Sequence, residues 1–346
     1  MGRKAALALA ALVCDGARAE TPAQCAAVTV DADRLACYDR AFGRQPAATT
    51  APPPTAASAS AGGVPTAGNR LAITTAAPPV TSVLSTLWDL EPATKRGTFQ
   101  LEPYKLNYLL PLQTTTRTNT TPNSPGVDNA FSDELALDPT EAKFQFSVKV
   151  KAWQNIFGDN GDLWLAYTQQ SSWQLYSPGE SSPFRATDYE PGAILSFRTN
   201  TEVLGWRWEL LNLGFVHQSN GRAQPLSRSW NRVYAQFGFE RGDFTVLFKP
   251  WLRVKESESS DDNPDIQDYL GSGELRVAYV NGGHAYSALG RYSFSGHRGG
   301  LQLEWAFPLV SALKGYVQFT TGYGESLIDY NHSQSTIGIG FLLLPW

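Results

Sequence analysis

Beyond residue 100 the chain alternates apolar and polar side chains, segment after segment. Phe144, Phe146, Val148 and Val150 alternate with Lys143, Gln145, Ser147, Lys149 and Lys151. A period of two gives a strand with one apolar face and one wet face. Leu275, Val277 and Tyr279 repeat the pattern against Glu274, Arg276 and Ala278, and Ile337, Ile339, Phe341 and Leu343 repeat it around Gly338 and Gly340. Twelve such strands are predicted, near 101–112, 142–153, 162–175, 189–199, 205–219, 229–240, 243–255, 268–281, 284–294, 298–307, 313–323 and 334–346.

The count is even, as a closed bacterial barrel requires. Many of the segments reach about ten residues or more, which suits a tilted membrane span better than the ~5–6 of a soluble sheet. The connections also alternate in length. Arg241-Gly242 and Asn281-Gly282-Gly283 are short, whereas 113–141, 176–188, 220–228, 256–267 and 324–333 are long, with 295–297 the exception. Short inner turns and long outer loops belong to outer-membrane barrels, and the terminal Trp346 resembles their C-terminal aromatic. The pattern predicts an all-β fold, a twelve-stranded antiparallel transmembrane β-barrel, over a soluble sandwich or lipocalin-like barrel. If both termini are periplasmic, every long loop lies outside the cell.

The N-terminal third has another character. Arg3 and Lys4, the apolar run Ala5 to Val13, and Ala17-Arg18-Ala19 read as a signal peptide over 1–19, cut before Glu20. Lipidation at Cys14 is disfavoured by the preceding Leu12-Val13. Cys25 and Cys37 remain in a small segment, 20–43, where export makes a disulfide the default; two thiolates without a nearby histidine fall short of a metal site. Residues 44–82, rich in Ala, Pro, Thr and Ser, read as a linker that cannot bury a core, leaving 83–346 for the barrel. A net charge of −4 over 346 residues excludes nucleic acid as the main partner, since phosphate binding needs a clustered basic excess.

The predicted fifth strand ends Leu211, Leu213, Phe215, His217, Ser219, all on one apolar, lipid-facing side; the sixth begins with Asn231 on the same side as Val233. A hairpin through 220–228 brings His217, Ser219 and Asn231 together at its outer end. Polar groups at membrane depth usually serve function. These three residue types supply a nucleophile, a general base and an orienter for that base. Other candidates carry less. Asn160-Gly161-Asp162 reads as a turn, Ser311 with Lys314 lies on a short inner turn, and His284, His297 and His332 show no partners in sequence.

His217-Gln218-Ser219-Asn220-Gly221-Arg222, followed by Ser227-Arg228-Ser229-Trp230-Asn231-Arg232, resembles the active-site signature of the outer membrane phospholipase A family. Further similar stretches are Glu180 to Arg185, Lys249-Pro250-Trp251, Asp261 to Ile266 and Gly322 to Asn331, so that the resemblance covers most of 104–346. It implies a twelve-stranded barrel in the outer membrane, a Ser219-His217-Asn231 triad, dependence on Ca2+, a homodimer when active, and membrane phospholipids cut at the sn-1 and sn-2 esters. It further implies calcium ligands at Arg222 (carbonyl), Ser227 and, from the facing subunit, Ser181. Asp262 is implied for a second site used by the monomer, and Gln169 for a polar contact between subunits; a lumen-facing glutamine is the alternative. The family pattern has an acid two residues after the arginine, where this chain has Gln224. The rival functions are a passive porin with a wide wet lumen and a structural or partner-binding barrel.

Overall fold

The computed structural model describes residues 25, 27–30, 33–34, 36–38, 82–126, 128–310 and 313–344. The chain divides into two units, 1–74 and 75–346. In the first, Cys25 and Cys37 are joined by a disulfide with Cα atoms 5.5 Å apart. The signal peptide and all of the linker except Ser82 lie outside the described residues.

In the second unit twelve strands close into a barrel. They are β1 (Asn107–Thr115), β2 (Thr140–Trp153), β3 (Asp162–Trp173), β4 (Phe184–Val203), β5 (Trp206–Ser219), β6 (Ser229–Arg241), β7 (Phe244–Val254), β8 (Gly273–Asn281), β9 (His284–Ser293), β10 (Arg298–Val310), β11 (Leu313–Gly322) and β12 (Gln334–Leu344). Each pairs antiparallel with its chain neighbours, and β12 returns to β1 through Ile337↔Thr114 and Ile339↔Leu112. Closure leaves no unpaired edge in hydrocarbon, the condition for a sheet to span a bilayer. Period-two alternation survives in three dimensions. Leu165, Phe146 and Ile337 face outward at 54%, 47% and 53% exposure, while Trp164, Lys149 and Lys151 are buried inside.

The predicted bounds shift most in three places. The first strand starts at 107 rather than 101, because Leu101–Pro103 forms a separate short strand paired to β2. β4 runs from 184 to 203, well beyond the expected 189–199 at both ends. The eighth strand starts at 273, not 268, because Gln267–Leu270 forms a helical turn ended by Gly271 at φ +69. A Cβ at Gly271 would lie 2.2 Å from the Tyr292 carbonyl oxygen, so backbone approach as well as φ demands glycine.

The lumen is filled. Helix α1 (Val83–Trp88), N-capped by Ser82, enters at the short-turn end, where the Leu84 amide donates to Glu240 Oε1 at 2.7 Å. Leu84, Trp88 and Leu90 pack with Trp164, Ile194, Leu210, Val216, Trp230 and Trp251 in one buried cluster. The Lys149 ammonium sits 4.2 Å from the Trp88 ring centroid and 4.3 Å from that of Trp164. Elsewhere buried charges pair across the interior, as in Lys143–Glu325 (2.7 Å), Arg185–Glu141 (2.9 Å) and Arg276–Glu304. A cavity of about 220 Å3 remains, lined in part by Trp88, Glu190, Arg276, Glu304 and Glu325. Among the described residues, side chains and the α1 segment occupy the interior that a porin leaves as a wide wet lumen.

Candidate active site

Hairpin β5–β6 sets the site by register. His217 pairs directly with Asn231 and Ser219 with Ser229, while the flanking Val216, Trp230 and Arg232 turn inward and are buried. The outward row continues Leu213, Phe215 and Val233, each 43–45% exposed. The polar pair thus ends an apolar, membrane-facing stripe, as the alternation required. His217 Nδ1 lies 2.9 Å from Asn231 Oδ1, and Asn231 Nδ2 donates to Glu256 Oε1 at 3.0 Å. The second contact decides the first. With the amide nitrogen committed to a carboxylate, Oδ1 faces the ring and accepts, so Nδ1 carries the proton and Nε2 is left as an acceptor. Ser219 ends β5 on the same face, two residues (about 6.8 Å of strand) beyond His217. Its hydroxyl makes no hydrogen bond to either partner among the described residues.

The loop 220–228 is ordered by its own polar groups. Asn220 Oδ1 accepts from the amides of Arg228 (3.0 Å) and Arg222 (3.3 Å), and its Nδ2 donates to the Leu226 carbonyl at 2.8 Å. Gly221, at φ +62, lies so near the Tyr189 ring that a Cβ would fall 2.9 Å from it. The Arg222 guanidinium donates to the carbonyls of Phe184 and Arg185, both at 2.8 Å, which ties this loop to the start of β4. Burial, and after it the Arg185 charge, lowers the Arg222 pKa. Arg228, fully buried, donates to Asn129 Oδ1 at 2.9 Å.

Beside the hairpin lies an oxygen-rich cluster. Asp262 Oδ2 accepts from Ser227 Oγ at 2.6 Å and Ser229 Oγ at 3.4 Å, and Oδ1 accepts from Gln224 Nε2 at 2.8 Å. Ser227 and Asp262 are therefore brought together. Ser181 is not part of this cluster; it is exposed in the β3–β4 loop, capping the turn Pro178–Glu180. No group of three His, Cys, Asp or Glu side chains is arranged for a metal among the described residues. The donors at hand are hydroxyls, carbonyls and a single carboxylate, hard oxygens that suit calcium with water completing its 6–8 positions. Gln169 faces outward in the row of Leu165 and Tyr167, accepting from Tyr167 Oη at 3.1 Å, so the lumen-facing alternative is excluded.

Sequence reasoning missed three contributors. Asn263 Oδ1 accepts the Ser229 amide at 2.9 Å, Asn129 anchors Arg228, and Glu256 holds Asn231. Only Glu256 carried a readable signal, since it extends the outward row Phe244, Val246, Phe248, Leu252, Val254 by one more step. Burial raises its carboxyl pKa and the Asn231 hydrogen bond opposes part of that rise. His284 and His332, without partners in sequence, have them in space: Trp305 Nε1 donates to His284 at 3.3 Å, and His332 Nε2 lies 3.1 Å from the Arg117 carbonyl.

Residues 84–343 match the family model described as Phospholipase A1. A putative phospholipase A1 of Neisseria meningitidis is 38% identical over 93% of this chain and 91% of its own length. The outer membrane phospholipase A of Escherichia coli has the same fold, with a TM-score of 0.67 at 37% identity over 76% of this chain and 99% of that one. The Salmonella typhi outer membrane phospholipase dimer with bound calcium matches at a TM-score of 0.66 and 38% identity, over 73% of this chain and 95% of that one.

Proposed function

The chain belongs to the phospholipase A1 family, and from that premise we propose that this outer-membrane phospholipase cleaves the sn-1 and sn-2 esters of membrane phospholipids and lysophospholipids with Ser219, His217 and Asn231. Ser219 Oγ attacks the ester carbonyl carbon while His217 Nε2 takes its proton. Asn231 Oδ1, already on Nδ1–H at 2.9 Å, holds the ring in the tautomer that makes Nε2 basic. The backbone N–H of Gly221 is the proposed donor to the developing oxyanion. His217 then protonates the departing glycerol oxygen, and the lyso-product leaves an acyl group on Ser219. Water, deprotonated by His217, releases the fatty acid and restores the serine.

The carrying observation is the His217–Asn231 hydrogen bond at the end of a lipid-facing stripe. A polar His–Asn pair there gains nothing from hydrocarbon, while it stands where an ester of the outer leaflet arrives. Calcium is the proposed cofactor; the Arg222 carbonyl and Ser227 with Ser181 of a second copy would hold it, and Asp262 would hold it in the monomer. When bound, the ion would supply positive charge that stabilises the developing oxyanion. Gln169, an amide on the lipid face, is proposed to be buried between the two copies.

Purified protein should release fatty acid from phospholipid micelles with calcium and not with chelator, and Ser219→Ala should abolish release while the barrel stays folded. Near wild-type turnover by Ser219→Ala would refute the triad.

A further inference from the structure

The carboxylate on Asn231 is poorly explained as surface decoration. Glu256 lies just beyond the end of β7, half-buried, in register with the outward row that ends at Leu252 and Val254, where a charge is costly unless paired. It accepts from the Asn231 amide at 3.0 Å. The charges around it are Asp261, Arg253 and Asp262, and Arg253 is engaged with Asp261 at 2.6 Å. An asparagine is a weaker orienter than an aspartate for two reasons. It is neutral, and its amide can flip, turning a donor toward the ring instead of an acceptor.

We infer that Glu256 is a positioning residue of the hydrolytic site, fixing the Asn231 amide so that Oδ1 always faces His217 and backing that amide with a negative charge. The relay Glu256–Asn231–His217 thus does in two steps what a single buried carboxylate does in other triads. The inference rests on the serine-hydrolase reading above. Glu256 acts only through Asn231, so its effect belongs in turnover rather than in substrate affinity.

The test is a cycle of Glu256→Ala, Asn231→Ala and the double variant, with Ser219→Ala as control, measuring kcat, KM and thermal stability on folded barrels. Glu256→Ala should lower kcat about tenfold, the worth of one charge-assisted hydrogen bond, with KM changed less than about twofold. In the Asn231→Ala background it should do nothing further, since the group it holds is gone. Glu256→Gln, which keeps an acceptor of the same shape, should fall between wild type and Glu256→Ala, and it carries the test if the alanine variant does not fold. Unchanged kcat in both variants, or losses that add in full in the double variant, would overturn the role of Glu256. Activity surviving in Ser219→Ala would instead overturn the underlying reading.

Discussion

At the residue scale, two hydrogen bonds do most of the explaining: Asn231 accepts from His217 and donates to Glu256, so one amide fixes both the tautomer and the orientation of the imidazole proposed as the base. The division of labour has a measurable consequence. His217→Ala removes the proton acceptor and should cost about 10^3-fold or more in kcat, whereas Asn231→Ala removes only an orienter and should cost about 10- to 100-fold. Equal and complete inactivation of both, with folding intact, would contradict these roles. The types and parity of His217, Ser219 and Asn231 were readable in sequence because period-two alternation assigns a face to every residue of a strand. Glu256 was not singled out, because, although it continues the outward parity of β7, it lies past the strand end in a run of serines and acids where alternation is no longer imposed by pairing.

Loops and the plug carry the next level. Loop 220–228 presents Ser227 and Gln224 to Asp262, so this carboxylate is already satisfied by neutral donors. Gln224→Asp would replace an amide donor with a second anion, which calcium can bridge and a metal-free loop cannot. It should lower the calcium concentration for half-activation about tenfold, since affinity in such sites follows ligand charge. A calcium titration of hydrolysis checks it, and an unchanged midpoint would remove Gln224 from the metal's surroundings. Helix α1 poses a separate question of stability. Trp88 is buried between Lys149 and the lumen cluster, and Trp88→Ala should destabilise the barrel by about 3–5 kcal/mol. Heating before electrophoresis, which follows loss of the compact band, should show a lower transition; an unchanged one would mean the plug is dispensable. Strand positions were predictable from alternation. The placement of 83–90 was not, because a six-residue helix carries no periodicity that distinguishes a plug from a cap.

At the scale of the whole molecule, the chain is a closed barrel of a phospholipase family, and the proposed site on its outer rim must be silent in an intact membrane. Shared calcium ligands from two copies would give that control, because ligand binding and association are then one linked equilibrium. Raising calcium should move the protein from monomer to dimer in detergent, with hydrolysis following the dimer fraction and Ser181→Ala weakening both together. Sedimentation and activity on the same samples check this, and full activity in a persistent monomer would contradict it. The even strand count and alternating loop lengths foretold this architecture, whereas assembly depends on surfaces that a single chain leaves exposed to lipid. The central claim, an activated Ser219 on the outer rim, is tested most directly by covalent trapping. An alkylsulfonyl fluoride reacts with a serine whose proton is being withdrawn, and mass spectrometry then locates the adduct. The account predicts one adduct per chain, on the peptide containing Ser219, lost in His217→Ala. An adduct elsewhere, or one that forms equally well without His217, would contradict it.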